Sequence, residues 1–232
     1  FPQIRGKLSS KAVFAVSTLS STLGCLNESW EETSSDRSLP PAPVQVNAAG
    51  DGQRVFYAAQ GPLKETTGDF WGMLYENKIP AIVMLTRFFE KTVSKCEPYF
   101  PEQEGTSQQH GDFEVEAVGK HAPLPYCKEV TVRTLRVTPL KGGDPLTVKH
   151  FFYGGWPDHG KPKSSTPIRQ IIHELRMSGL NRKPVAVHCS AGIGRTGTFC
   201  TIDVIVGRLR SLVESGGVHT AEELMHAASV SD

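Results

Sequence analysis

Apolar residues run along this chain in three patterns, and each predicts a different element. Unbroken runs at 81–85 (Ala81-Ile82-Val83-Met84-Leu85) and at 185–187, opened by Pro184, read as strands buried on both faces. Alternation marks the half-buried strands. Phe113, Val115 and Ala117 alternate with Glu114 and Glu116, then come Val130 and Val132 with Leu135 and Val137, then Leu146, Val148, His150 and Phe152. With Lys141-Gly142-Gly143-Asp144 as a turn, these three segments predict an antiparallel meander. A further strand over 55–59 is stopped by Gly61-Pro62.

Helical spacing is the third pattern. One helix runs from Thr66 or Thr67 to about Asn77, with Phe70, Trp71, Met73 and Leu74 on its core side. A second opens at Thr166-Pro167, turns Ile168, Ile171, Ile172 and Leu175 inward, and ends near Gly179. A third follows Thr196, with Phe199, Ile202, Val206 and Leu209 as its stripe and Ile205 and Leu212 beside it. A short helical piece (Ala221, Leu224, Met225, Ala228) comes after Gly216-Gly217. The second helix joins the strand ending at Phe152 to the strand at 185–188, a strand–helix–strand crossover that predicts parallel pairing. The class is α/β.

At 232 residues the chain suits one domain, or one domain with an arm. Before Glu28 there is no acidic residue and three basic ones, Arg5, Lys7 and Lys11, among many serines and threonines. That bias resembles an organellar transit segment. The competing reading of residues 1–43 is a weak helix (Val13, Val16, Leu19, Leu23) followed by a Ser- and Pro-rich loop. The net charge of +1 points to neither nucleic acid nor a membrane surface, and no stretch is apolar enough to span a bilayer. Five cysteines without paired spacing indicate a reducing compartment, hence a cytoplasmic location. Cys25, Cys127 and Cys200 read as core residues. His110, His121 and His150 share no ligand spacing and read as surface or half-buried, so no metal and no cofactor is expected.

The chemistry concentrates in His188-Cys189-Ser190-Ala191-Gly192-Ile193-Gly194-Arg195-Thr196-Gly197. A cysteine at the end of a buried strand faces the start of a helix across a loop with two glycines. Free amides at a helix start, together with the positive end of its dipole, suit a dianion such as phosphate. Ser190, Ala191, Gly192, Ile193, Gly194 and Arg195 are therefore the candidate phosphate-binding residues. Arg195 adds a planar fork for two phosphate oxygens, and the same field favours the thiolate of Cys189. A nucleophile at the bottom of a phosphate cradle implies phosphoryl transfer to sulfur.

These residues resemble the signature loop of the cysteine-based protein tyrosine phosphatases. Other segments agree. Val46-Asn47-Ala48-Ala49 and Val55-Phe56-Tyr57-Ala58-Ala59-Gln60-Gly61-Pro62 are similar to the family's Ile-Asn-Ala-Ser strand and Thr-Gln-Gly-Pro turn. Thr86-Arg87-Phe88-Phe89-Glu90-Lys91 with Lys95-Cys96-Glu97-Pro98-Tyr99-Phe100-Pro101 is similar to its Thr-Arg-x-x-Glu-Lys and Lys-Cys-x-x-Tyr-Trp-Pro segments. Tyr153-Gly154-Gly155-Trp156-Pro157-Asp158, placed 31 residues before Cys189, resembles the family's mobile Trp-Pro-Asp loop. The resemblance implies a phosphatase-like fold, a twisted mixed β-sheet with helices on both faces, over 44–232.

It further implies roles. Cys189 is the nucleophile, Arg195 the phosphate clamp, Asp158 the general acid, and Thr196 the helper of the departing thiolate. His188, Glu90, Lys95 and Trp156 support them: Glu90 is expected to pair with Arg195, and Lys95 to lie near the loop of Asp158. The implied reaction is hydrolysis of phosphotyrosine in proteins through a cysteinyl-phosphate. The family's Lys-Asn-Arg-Tyr segment and its Gln-Thr-x-x-Gln-Tyr pattern do not occur in these residues. A domain truncated at its C-terminus is therefore expected, and two other readings stand beside hydrolysis: a turnover-impaired phosphotyrosine-binding module and a dual-specificity phosphatase.

Overall fold

The computed structural model describes residues 44–47, 54–158, 160–214 and 216. The expected arm over 1–43, Ala48-Ala49 and the short helical piece with Ala221, Leu224, Met225 and Ala228 lie outside the described residues.

The chain opens with β1 (Val44–Asn47) and β2 (Val55–Ala59), then α1 (Thr67–Glu76) and β3 (Ala81–Met84). A small hairpin, β4 (Phe89–Glu90) and β5 (Val93–Ser94), precedes four longer strands, β6 (Ser107–His110), β7 (Phe113–Leu124), β8 (Cys127–Pro139) and β9 (Leu146–Phe152). The rest is α2 (Thr166–Leu175), β10 (Val185–His188) and α3 (Gly194–Glu214). The sheet order is β1-β2-β10-β3-β9-β8-β7-β6, with β4 and β5 paired apart from it. β2, β10, β3 and β9 are mutually parallel; β1 on one side and β8, β7 and β6 on the other are antiparallel. The mixed sheet and the meander are as the sequence predicts.

Alternation explains why helices cover both faces. Along β3 and β10, Ala81, Val83, Val185 and Val187 pack on one side with Phe151, the inner face of α2 (Ile168, Ile171, Ile172, Leu175) and Phe199 of α3. Ile82, Met84 and Ala186 pack on the other with Phe70, Trp71 and Leu74 of α1. A strand sandwiched this way must be apolar at every position, which is why 81–85 reads as an unbroken run. Each large buried side chain contributes about 1.5–3 kcal/mol on burial.

Three details differ from the expectation. β9 and β10 run in the same direction, but β3 lies between them, so the crossover skips one strand. β6 was not foreseen because its Ser-Gln-Gln-His sequence at the sheet edge has no apolar alternation. The buried stripe of α3 is Thr196, Phe199, Cys200, Asp203 and Val204, with Ile202 and Val206 packed against the core as expected, whereas Ile205 stands exposed.

That stripe includes a charge. Asp203 is buried, and its carboxylate receives Arg54 Nη1 at 3.0 Å and Arg176 Nη2. Arg176 Nη2 also donates to the Asp203 carbonyl. The cluster ties the start of β2, the turn after α2 and the middle of α3. Burial lowers the Arg54 pKa, with Asp203 pulling it up. Two guanidinium groups depend on one carboxylate, so its loss leaves buried charge unpaired. Asp203→Asn is expected to cost about 3 kcal/mol or more in urea denaturation; a change below about 1 kcal/mol would show that the cluster is well hydrated.

Candidate active site

Four parallel strands end on the same edge of the sheet, and the loop after each one contributes to a single site. Gln60-Gly61 follows β2, Thr86 to Glu90 follow β3, Tyr153 to Asp158 follow β9, and Cys189 to Ile193 follow β10. The carboxyl ends of parallel strands are where an open α/β sheet leaves a crevice for a ligand.

The loop after β10 is shaped by close approach to the end of β2. Gly192 has φ of +74°, and a Cβ there would sit 2.5 Å from the Ala59 carbonyl. A Cβ on Gly61 would sit 2.7 Å from the Cys189 carbonyl oxygen. Two glycines therefore let the backbones touch, and Gly61 N–H donates to the Ser190 carbonyl at 2.9 Å.

Hydrogen bonds fix the peptide planes of this loop. The Ser190 carbonyl is held toward Gly61, so the planar trans peptide turns the Ala191 N–H to the opposite side. The Cys189 carbonyl is 3.1 Å from His188 Nδ1, and the Ser190 N–H is turned away from it for the same reason. The Ile193 carbonyl accepts from Gly197 N–H at 3.0 Å, the first bond of α3, which leaves the Gly194 N–H free at the helix start. Gly192 N–H points at Cys189 Sγ, 3.3 Å away. An N–H aimed at sulfur suits an anionic acceptor.

His188 is fully buried, and burial lowers its pKa to about 4, with the Cys189 carbonyl raising it and Arg195 lowering it. It is thus neutral near pH 7. A carbonyl only accepts, so Nδ1 carries the proton and the bare Nε2 accepts from Tyr99 O–H at 2.7 Å. Tyr99 has one proton, so His150 Nε2, 2.8 Å from the same oxygen, is the donor of that pair. His150 was expected at the surface or half-buried. It is instead fully buried, on the same side of the sheet as Ile82 and Met84, with which it and His188 are in register. Alternation in β9 places it inward, where Tyr99 meets its Nε2 and its Nδ1 has no hydrogen-bond partner among the described residues.

Arg195 gathers the other loops. Only 6% exposed, it donates from Nη1 to Glu90 Oε1 at 2.5 Å and to the Trp156 carbonyl at 3.0 Å. Its Nη2 lies 3.5 Å from Asp158 Oδ1, and Lys95 Nζ reaches Asp158 Oδ2 at 2.7 Å. Trp156 is buried, with Nε1 donating to the Gly160 carbonyl at 2.9 Å, so the ring anchors the turn that carries Asp158. Arg87 Nε holds the Gly154 carbonyl at 3.0 Å, and a Cβ on Gly154 would meet the Arg87 side chain at 2.8 Å. Thr196 is fully buried at the base of the loop, next to Arg195.

The structure thus brings together Cys189, Arg195, Asp158, Glu90, Lys95, Trp156 and His188. Ser190, Ala191, Gly192, Ile193 and Gly194 form the turn between them. Sequence reasoning missed Tyr99 and His150 behind His188, the hydroxyl of Thr86 on Glu90 (2.9 Å), and the Trp156 carbonyl on Arg195. No spacing connects positions 99, 150 and 188; only the sheet order does. Among the described residues no His, Cys, Asp or Glu group of the kind that holds a metal ion is found. The arrangement offers a tetrahedral oxyanion several backbone donors, a guanidinium and a sulfur at its base.

Comparison with known proteins agrees. The family profile described as Protein-tyrosine phosphatase matches residues 44–226. Receptor-type tyrosine-protein phosphatase eta of Gallus gallus is 39% identical over 68% of this chain, and Tyrosine-protein phosphatase Lar-like of Caenorhabditis elegans is 41% identical over 69%. The chain spans only 11% and 7% of the length of these two relatives. A solved structure of PTPN18 in complex with HER2-pY1248 phosphor-peptides aligns with a TM-score of 0.59 at 35% identity, covering 68% of this chain and 56% of that one.

Two outcomes follow from the geometry. Gly192→Ala combines a positive φ with a backbone clash, a strain of about 1–3 kcal/mol, and is expected to weaken vanadate binding by about tenfold or more; unchanged affinity by calorimetry would contradict the close approach. The neutral His188 links stability to pH. Its folded pKa lies below the unfolded value, so the native state is favoured above pH 6.5 and loses stability as pH falls from 6.5 toward 4. Urea denaturation at pH 5 is expected to give about 2 kcal/mol less stability than at pH 7 from this group, and a flat profile would show the imidazole is hydrated.

Proposed function

Because the chain belongs to the protein-tyrosine phosphatase family, we propose that it hydrolyses phosphotyrosine in proteins through a cysteinyl-phosphate intermediate. The Cys189 thiolate attacks phosphorus, an S–P bond forms, and the P–O bond to the tyrosyl oxygen breaks. Asp158, protonated in this step, gives its proton to the departing phenolate. Water then attacks the phosphorus of the intermediate and Asp158, now a carboxylate, takes its proton. The S–P bond breaks, inorganic phosphate leaves, and the Thr196 hydroxyl stabilises the returning thiolate. The loop amides and Arg195 stabilise the equatorial oxygens in both transition states.

The observation that carries this reading is Arg195. Its Nη1 is committed to Glu90 and Trp156 and its Nη2 lies toward Asp158, while in the preceding loop Cys189 Sγ receives the Gly192 amide. A guanidinium held in this pose supports the reading of Arg195 as phosphate clamp, with Cys189 as nucleophile and Asp158 as general acid. PTPN18, the structural relative, is solved in complex with phosphopeptides, which supports phosphotyrosyl protein as the substrate class here. Among the described residues Cys96, Cys127, Cys189 and Cys200 are free thiols, which supports a reducing, cytoplasmic setting. No helix among the described residues is long and apolar enough to cross a membrane.

The test uses p-nitrophenyl phosphate and paired phosphotyrosyl and phosphoseryl peptides. Steady turnover of the aryl phosphate and the phosphotyrosyl peptide is expected, abolished by Cys189→Ser and lowered by about 10²–10⁴ in Asp158→Asn. Activity that survives Cys189→Ser would remove the nucleophile assignment. A single equivalent of leaving group without steady turnover would show that the intermediate forms and is not hydrolysed.

A further inference from the structure

Glu90 must be held still for Arg195 to be held still, yet its own element holds it weakly. The β4–β5 hairpin is separate from the main sheet, and Phe89 and Val93 within it are 61% and 54% exposed. Few buried apolar contacts mean low local stability. The contact with Arg195 does not supply the missing restraint, because only Nη1 meets the carboxylate, at Oε1. A single-point ion pair leaves both groups free to turn about the contact, unlike a two-point fork.

The remaining polar tie to that carboxylate oxygen comes from Thr86. It is fully buried, and its Oγ1 lies 2.9 Å from Glu90 Oε1 and 3.1 Å from the Arg87 carbonyl. A hydroxyl has one proton, and the charged, nearer acceptor takes it. Thr86 is itself rigid. Its β-branched side chain is stiff at χ1. Its neighbour Leu85 donates N–H to the His188 carbonyl at 2.9 Å, and the Met84 carbonyl accepts from Tyr153 N–H at 2.9 Å. The hydroxyl is therefore fixed to the same strand that delivers Cys189 and to the root of the Asp158 loop.

We infer that Thr86 is a positioning residue for phosphoryl transfer: its hydroxyl locks the Glu90 carboxylate, and through it the Arg195 guanidinium, in register with Cys189. The inference rests on the phosphatase reading of this site and adds a residue to it. It also predicts how the residue fails. Loss of the hydroxyl loosens the clamp in the bound ground state and in the transition state alike, so both oxyanion affinity and kcat/KM fall.

The experiment is a double-mutant cycle on the full chain, with p-nitrophenyl phosphate kinetics, vanadate affinity and melting temperature measured for each variant. Thr86→Val keeps the shape and removes the hydroxyl. It is expected to lower kcat/KM and vanadate affinity about tenfold, with Thr86→Ser within about twofold of the parent. In a Glu90→Gln background Thr86→Val is expected to add nothing, because the two act as one unit. Parental kcat/KM and vanadate affinity in a folded Thr86→Val chain would overturn the inference, as would independent, multiplying effects of the two substitutions. Should the valine variant not fold, Thr86→Ala takes its place in the same cycle. A parent chain without turnover would overturn the phosphatase reading alone, and vanadate affinity would then decide the role of Thr86.

Discussion

A guanidinium taken out of water must find its compensation within the protein, and this constraint organises the site. Arg195 sits in the first turn of α3 and is nearly inaccessible, so its charge is answered by groups brought from elsewhere: Glu90 from the loop after β3, the Trp156 carbonyl and Asp158 from the loop after β9. None of those loops is near Arg195 in sequence. The arginine thus serves as the node at which separate segments meet, and the side of it turned away from Glu90 is the side an anion would meet. The exposed β4–β5 hairpin is tied to the site through the same carboxylate, which Arg195 and Thr86 both meet at Oε1.

Beneath that node lies a backbone constraint. Four strands run parallel, so their C-terminal loops crowd one edge, and two glycines allow the loop after β10 to press against the end of β2. Crowding lets loop carbonyls be held outward by Gly61, His188 and Gly197, and planar peptides then turn the following amides to the other side. The proposed oxyanion site is in this sense a by-product of hydrogen-bond accounting in a tight loop. His188, Tyr99 and His150 form its buried floor, a chain of three neutral groups whose proton positions are set by the carbonyl at one end.

Much of this was legible in the sequence, for physical reasons that differ by element. β3 and β10 announce themselves because burial on both faces leaves no room for a polar residue. The Cys189 loop and the Trp156-Pro157-Asp158 segment are legible because the chemistry proposed for them demands particular residues at fixed local spacing, and Glu90 and Lys95 follow from the resemblance those segments carry. What stayed hidden depends on contacts across the sheet. His150 looks like one more half-buried strand residue until β3 places β9 two strands from β10. Nothing in its local sequence marks Asp203 as buried, and its partners Arg54 and Arg176 are far away in sequence. β6 escaped because an edge strand of serine, glutamine and histidine carries no pattern to read.

Everything turns on whether the sulfur at the base of this loop accepts the phosphoryl group. Mixing the chain with an aryl phosphate, quenching in acid within the first turnover and sequencing the peptides by mass spectrometry tests this directly. A phosphoryl group is expected on Cys189, more abundant in Asp158→Asn when a reactive leaving group bypasses the need for an acid and breakdown is slowed. Turnover with Cys189 unmodified, or phosphate found on another side chain, would contradict it.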